Sequence, residues 1–194
     1  PQWFADAAFV GDSVSVMLEN YNTSTGRLGS PAFFCSVSLS QTNALSYQAG
    51  NARLPEYPKG SGQHPLVADG IASAGAKKVY LMLGMNCIAG GVDRASQDLV
   101  TLVDQILAKS PEAAIFIQSV TPMTADSPRA DDALNNGTIQ AFNERMRQIC
   151  QEKQWYFVNV AEAVSAGTGP WGSISITTVL RRGQTISSPM CPRR

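Results

Sequence analysis

Histidine is almost absent from this chain: His64 is the only one among 194 residues. A single histidine excludes a histidine-built metal cluster and leaves few candidates for a general base. The four cysteines, Cys35, Cys87, Cys150 and Cys191, have no paired short spacing, so neither a zinc site nor a disulfide framework is implied. Two of them stand in apolar contexts and read as buried free thiols. Charge is scarce as well. Charged residues make up 15% of the chain, and 15 basic and 15 acidic side chains cancel. That balance argues against a nucleic-acid partner or a strongly acidic substrate. No apolar run approaches the roughly 20 residues of a membrane-spanning helix. The last absence is local: from Gly167 to Arg194 there is no Asp, Glu or His.

What is present suits one domain with a real core. A hydrophobic content of 44% over this length fits an ordinary globular protein. The chain opens on Pro1 rather than Met, as expected of a mature or trimmed form. Short apolar runs at 7–10, 32–37, 79–83, 114–120 and 155–160 read as buried strands. Between them, 14–21, 65–74, 93–109 and 138–154 read as helices, with 161–166 a short one. Leu99, Leu102, Val103, Ile106 and Leu107 form one stripe, and Ile139, Phe142, Met146, Ile149 and Cys150 another. Alternating strands and helices predict an α/β domain of three layers around a parallel sheet. The segment 46–63, rich in Gly, Pro, Asn and Ser, is expected to loop over the active edge. The segment 121–136 is long enough to be a functional loop. Two glycosylation patterns, at Asn22 and Asn136, carry no weight alone.

The most informative feature lies where the first strand ends. Ala7-Ala8-Phe9-Val10 runs into Gly11-Asp12-Ser13, and a helix-like stretch follows at once. Gly11 allows a tight turn, Asp12 is a good capping residue, and Ser13 falls on the first helical turn. A helix start favours developing negative charge, whether a serine alkoxide or an oxyanion. An Asp-Ser pair is also an ordinary cap, so the motif gains weight only from a second one. Val79 to Leu83 supplies it, because that strand closes with Gly84-Met85-Asn86. In a parallel sheet both turns lie at the carboxyl edge, where open α/β folds place their ligands. There the Asn86 amide can donate to an oxyanion held by the serine. Phosphate binding at the same helix start ranks lower, since neither a glycine-rich loop nor a nearby lysine accompanies it.

With these two blocks the chain resembles the SGNH (GDSL) hydrolase family. Gly11-Asp12-Ser13 is similar to that family's nucleophile block, and Gly84-Met85-Asn86 to its Gly-x-Asn-Asp block, with Cys87 standing in place of the Asp. The resemblance spans roughly residues 3–166. It includes Lys77-Lys78-Val79, Ile117 to Pro122, Asn143 within Phe142-Asn143-Glu144, and Tyr156 to Val160. It implies a flavodoxin-like sheet of five parallel strands. It also implies Ser13 as nucleophile and backbone oxyanion donor, with the Asn86 amide as a second donor. Ser40 falls where the family has a glycine whose N–H also donates. No metal or organic cofactor is called for. The implied partner is a small-molecule ester or an acylated glycan, and relatives of this kind often lie outside the cytoplasm.

The resemblance fails at the base. The family carries an Asp-x-x-His block near the C-terminus, and this chain has none. His64, in Gly62-Gln63-His64-Pro65, matches no catalytic position and reads first as a loop or capping histidine. The chain therefore divides into a hydrolase-like domain, 1–166, and an atypical segment, 167–194. Two readings of that segment stay open. One is a surface tail, hairpin-like or disordered. The other is a changed reading frame, in which codons for Ser173 to Val179 can spell His-Leu-Asp-Tyr-Tyr-Cys and those for Gln184 to Ile186 Asp-His. Two functions follow. The first is a serine esterase or acyl hydrolase working through an acyl-enzyme, impaired by the missing histidine. The second is an inactive module of the same fold that binds an acyl or glycan group.

Overall fold

Five short strands, each predominantly apolar, assemble in parallel. The computed structural model describes residues 2–46, 54–124, 126–127 and 130–165. The strands are β1 (Ala7–Gly11), β2 (Ala32–Cys35), β3 (Lys78–Met82), β4 (Ala114–Gln118) and β5 (Tyr156–Val158). Their order is β2-β1-β3-β4-β5, the doubly wound arrangement that the resemblance implied. Every neighbouring pair is parallel, with Phe9 beside Phe33 and Tyr80, and Leu81 beside Ile117. The expected change of character at residue 167 lies outside the described residues, as does Cys191.

The helices are α1 (Ser13–Thr25), α2 (Gln41–Ala44), α3 (Val67–Ser73), α4 (Val92–Lys109), α5 (Asn136–Lys153) and α6 (Val160–Ser165). One sheet face, with Val10, Phe34, Leu81 and Ile117, packs on α3, α4 and α5 through Ile71, Leu99, Leu102, Ile106, Phe142 and Met146. The stripes expected on α4 and α5 are the buried ones, because residues three and four apart share a helix face. The opposite face meets α1 and α6 through Val14, Leu18, Val160 and Val164. The domain is thus α/β/α.

That second face carries one aromatic ring per strand. Phe33, Phe9, Tyr80, Phe116 and Tyr156 form a continuous ladder with centroid spacings of 5.4, 4.9, 4.5 and 4.7 Å. Parallel register lays each ring over its neighbour, and such cross-strand pairs stabilise a sheet beyond their buried area. Trp3 adds a hydrogen bond from its indole Nε1 to the Tyr80 hydroxyl, 3.1 Å.

Three asparagines brace the loops by imitating a strand partner. Asn143 Oδ1 accepts from Val120 N (2.8 Å) and Asn143 Nδ2 donates to Val120 O (2.9 Å). Asn136 clasps Met123 in the same way, at 2.8 and 3.0 Å. Asn22 bonds Leu28 N (2.7 Å) and Gly29 O (3.0 Å). At Asn22 and Asn136 the amide of the glycosylation pattern is therefore committed to the fold.

The segment before α3 departs from expectation. Its described part does not lie over the carboxyl edge. Tyr57 and Lys59 line a concavity with Asp6, Ala7, Ala32 and Ala76, all at the amino ends of β1, β2 and β3. Tyr57 also packs on Phe34, with centroids 4.5 Å apart, and Lys59 pairs with Glu19 at 2.5 Å. An apolar ring on the sheet and an ion pair to α1 hold the loop there, which loop-like composition could not foretell.

Candidate active site

The site begins with a close approach between strand and helix. Gly11 ends β1, and a Cβ at that position would overlap Ser15 Oγ and stand 2.6 Å from Ser15 Cβ and 2.9 Å from Met82 O. Only a missing side chain lets α1 start so near the carboxyl end of β3. Asp12, buried, then caps α1: its carboxylate accepts from Val14 N at 3.0 Å. Ser13 is the first helical residue and half-buried. Its hydroxyl makes no hydrogen bond to another described residue. The first-turn N–H groups and the helix dipole favour an anion at this point.

Asn86 follows β3 in the turn opened by Gly84. Gly84 has φ +156°, and a Cβ there would meet Val120 Cγ2 at 2.7 Å and Phe142 Cε1 at 3.0 Å. The turn therefore lies flat on the core. The Asn86 amide reaches across to the loop after β2, with Nδ2 donating to Leu39 O at 2.9 Å and lying 3.4 Å from Val37 O. The Ser40 N–H belongs to the same trans peptide and points the opposite way from the Leu39 carbonyl that Asn86 holds. The Ser40 N–H itself donates to Asn43 Oδ1 at 3.0 Å, while Ser40 Oγ accepts from Asn43 N at 3.2 Å. These two bonds form a capping box that starts α2. Ser40 is thus buried and its N–H already has an acceptor.

Ser13, Ser40 and Asn86 follow β1, β2 and β3, which are neighbours in the sheet, and all three stand at its carboxyl edge. Strand order reverses between β1 and β3, and open α/β sheets bind ligands at such a point. A cleft of about 470 Å³ opens beside Ser40 and Asn86, and Cys87 and Arg94 also line it.

Comparison with known proteins gives the family. A model of the GDSL-like lipase/acylhydrolase family matches residues 9–176. The chain belongs to that family. No curated protein gives a sequence match. Among solved structures, the fold is similar to that of an acylhydrolase from Bacteroides fragilis, with TM-score 0.62 and 14% identity over 90% of this chain and 81% of that one. A GDSL-like lipase from Bacteroides thetaiotaomicron gives TM-score 0.60 and 14% identity over 84% and 72%. TesA gives TM-score 0.56 and 15% identity over 90% and 92%. At these identities the neighbours show the fold, and the family match gives the class: a general esterase or acylhydrolase.

Against the Gly-x-Asn-Asp block Cys87 differs in chemistry. It follows Asn86, and its thiol is pushed up to about 12 by burial, then by the Asp98 and Asp12 carboxylates. The backbone and side chain of Gln41 lie within hydrogen-bonding reach and act against that rise. At neutral pH Cys87 is therefore an uncharged thiol and no nucleophile. Gln41 is fully buried, donates through Nε2 to Ala95 O at 3.0 Å, and leaves Oε1 without a partner among the described residues. No local pattern signals this contact, because Gln41 and Cys87 meet only across the fold.

His64 stands apart from this edge. It is exposed, and its Nδ1 sits 2.7 Å from Leu54 O. It closes a loop, bridged by Tyr57 N to Gln63 O at 2.9 Å, whose Tyr57 and Lys59 lie at the amino edge of the sheet. Among the described residues no group of three His, Cys, Asp or Glu could hold a metal ion, and no helix is long and apolar enough to cross a membrane.

Proposed function

We propose that this chain is an ester hydrolase in which Ser13 Oγ attacks the acyl carbonyl. In the attack the Ser13 O–H bond breaks, an O–C bond forms to Ser13 and the carbonyl oxygen becomes an oxyanion. Collapse breaks the ester C–O bond, and the departing oxygen takes the proton that left Ser13 and leaves as the alcohol. Water then cleaves the acyl-Ser13 ester to the free acid, one water proton restoring the serine hydroxyl. The oxyanion donors are the Ser13 N–H, the Asn86 amide and the Ser40 N–H. Ser40 can serve only when Asn43 swings off it, because an N–H cannot serve two strong acceptors well. The substrate class is a small ester, an acetylated carbohydrate among the candidates.

The observation that carries this reading is the placement of Ser13 and Asn86 on the two strands that flank the switch point, at one edge. A second reading has its own support: the only histidine stands in a loop tied to the opposite edge. On that reading the same edge binds an acyl or glycan group without turning it over. Loss of one triad member costs several orders of magnitude in rate and leaves binding intact.

Hydrolysis of 4-nitrophenyl acetate by the wild-type chain and by Ser13→Ala separates the two. Turnover that disappears in Ser13→Ala supports the hydrolase. Turnover equal in both variants removes Ser13 as nucleophile, and saturable binding without turnover supports the module.

A further inference from the structure

Among the described residues, Arg94 is the one ionic side chain lining the cleft beside Asn86. It sits in the first turn of α4 and is exposed. No described residue forms an ion pair or a hydrogen bond with it. The acid best placed to pair with it is Asp98, one turn along the same helix. Asp98 instead accepts from Thr42 Oγ1 at 2.5 Å, a bond that anchors α2 on α4. The other described walls carry no charge: the hydroxyls of Ser38, Ser40 and Thr42, the amides of Asn43 and Asn86, and the apolar Cys87, Ala89 and Ala95. A neutral ester can lie against them. A group with negative charge gains more, because guanidinium presents a planar fork that fits carboxylate or phosphate oxygens in pairs.

We infer that Arg94 is a specificity residue, and that the substrate is an ester carrying a second, anionic group, held by Arg94 while the scissile carbonyl lies at Asn86. The inference rests on the reading of Ser13 and Asn86 given above. It adds what that reading lacks, the charge of the substrate. Asn86 lines the cleft and Ser13 does not, so the ester lies across Asn86 with its reacting carbon on the Ser13 side.

The test uses three esters: 4-nitrophenyl acetate, which is neutral; 4-nitrophenyl hydrogen succinate, charged on the acyl side; and 4-acetoxybenzoate, charged on the alcohol side. The readout is the ratio of kcat/KM for a charged ester to that for the neutral one. That ratio should fall about tenfold in Arg94→Ala, as expected for one charge-assisted contact, and recover in part in Arg94→Lys. Whichever charged ester loses its advantage names the side of the substrate that Arg94 holds. Added salt should reduce the ratio in wild type and leave it unchanged in Arg94→Ala. Turnover with the same ratio in wild type and Arg94→Ala overturns the inference and leaves the hydrolase reading standing. If the wild type shows no turnover, ligand-observed NMR compares binding of 4-acetoxybenzoate and neutral 4-acetoxybenzamide. Preference for the anion that vanishes in Arg94→Ala supports Arg94 while the hydrolase reading falls. Absence of that preference overturns both.

Discussion

Replacing Gly11 with alanine tests the turn that presents Ser13. The new methyl carbon would stand 2.6 Å from Ser15 Cβ and 2.9 Å from Met82 O, where ordinary contact begins at 3.4 Å. Ser15 Oγ can rotate away, but Ser15 Cβ and the Met82 carbonyl move only with their backbones. Restoring contact distance to Ser15 alone requires about 0.8 Å of displacement, applied two residues beyond the proposed nucleophile. Overpacking of this kind costs about 1–3 kcal/mol, so thermal unfolding should fall by roughly 2–12 °C for a domain of this size. A shift near 1 Å at a reacting group costs up to about 100-fold in rate, so esterase activity should fall further than stability does. Circular dichroism and 4-nitrophenyl acetate turnover measure the two effects. Ser15→Gly in the same chain removes the Ser15 contacts and leaves Met82. The double-mutant cycle should therefore show coupling above about 0.5 kcal/mol, with partial recovery of both signals. A Gly11→Ala protein that melts and turns over like wild type would refute the account of the turn.

Asn143→Ala leaves the buried Val120 N–H and C=O without their partner. It should cost about 2–4 kcal/mol and lower the melting temperature by about 5–15 °C, whereas an unchanged melt would remove the clasp from the argument. On α5, hydrogen bonds from Arg147 and then Gln148 hold the Glu144 carboxyl at about 2, below its ordinary 4.5. Because the folded value is the lower one, that stabilisation is present above pH 4.5 and is lost as pH falls toward 2. A carboxyl NMR titration should find the low midpoint in wild type and a midpoint nearer 4.5 in Arg147→Ala. Cys87 and Cys150 are both pushed up to about 12, each chiefly by burial. Iodoacetamide at pH 8 should label them far more slowly in the native chain than in urea, and native labelling of Cys87 at the unfolded rate would contradict its placement.

The strands were legible because buried parallel strands are short apolar runs, and turn residues or charges bound most of them. Residues 7–10 and 79–83 anticipate β1 and β3 to within a residue at each end. The helices on α4 and α5 were legible from their stripes. Their starts were less so, since the capping box of Asn135 and Thr138 begins α5 two residues before the expected 138. Four-residue α2 had no pattern to betray it; it exists because Ser40 and Asn43 cap each other and Gln41 is buried against α4. The aromatic ladder and the asparagine clasps depend on register between distant segments, which no single segment encodes. The same holds for the loop at 54–64, whose composition says loop but whose edge is decided by Tyr57 on Phe34.

The pieces of the candidate site have separate origins. Ser13, Ser40 and Asn86 all come from the first three strands, each fixed by a local device: a strand-end glycine, a capping box, and a flat turn on the core. The contacts named for these devices join described residues between Gly11 and Phe142. The base is different. His64 is the only histidine the chain has, and its loop is anchored at the amino edge by contacts unrelated to Ser13. A strand-end serine with no histidine beside it among the described residues is what a changed reading frame after Ala166 would leave. We therefore propose that 167–194 is read out of frame. Sequencing the source gene and expressing the alternative frame tests this. Restored frame with Asp-His, joined to intact Ser13, should raise ester turnover by orders of magnitude; no gain in rate, or an uninterrupted present frame in close relatives, would refute it.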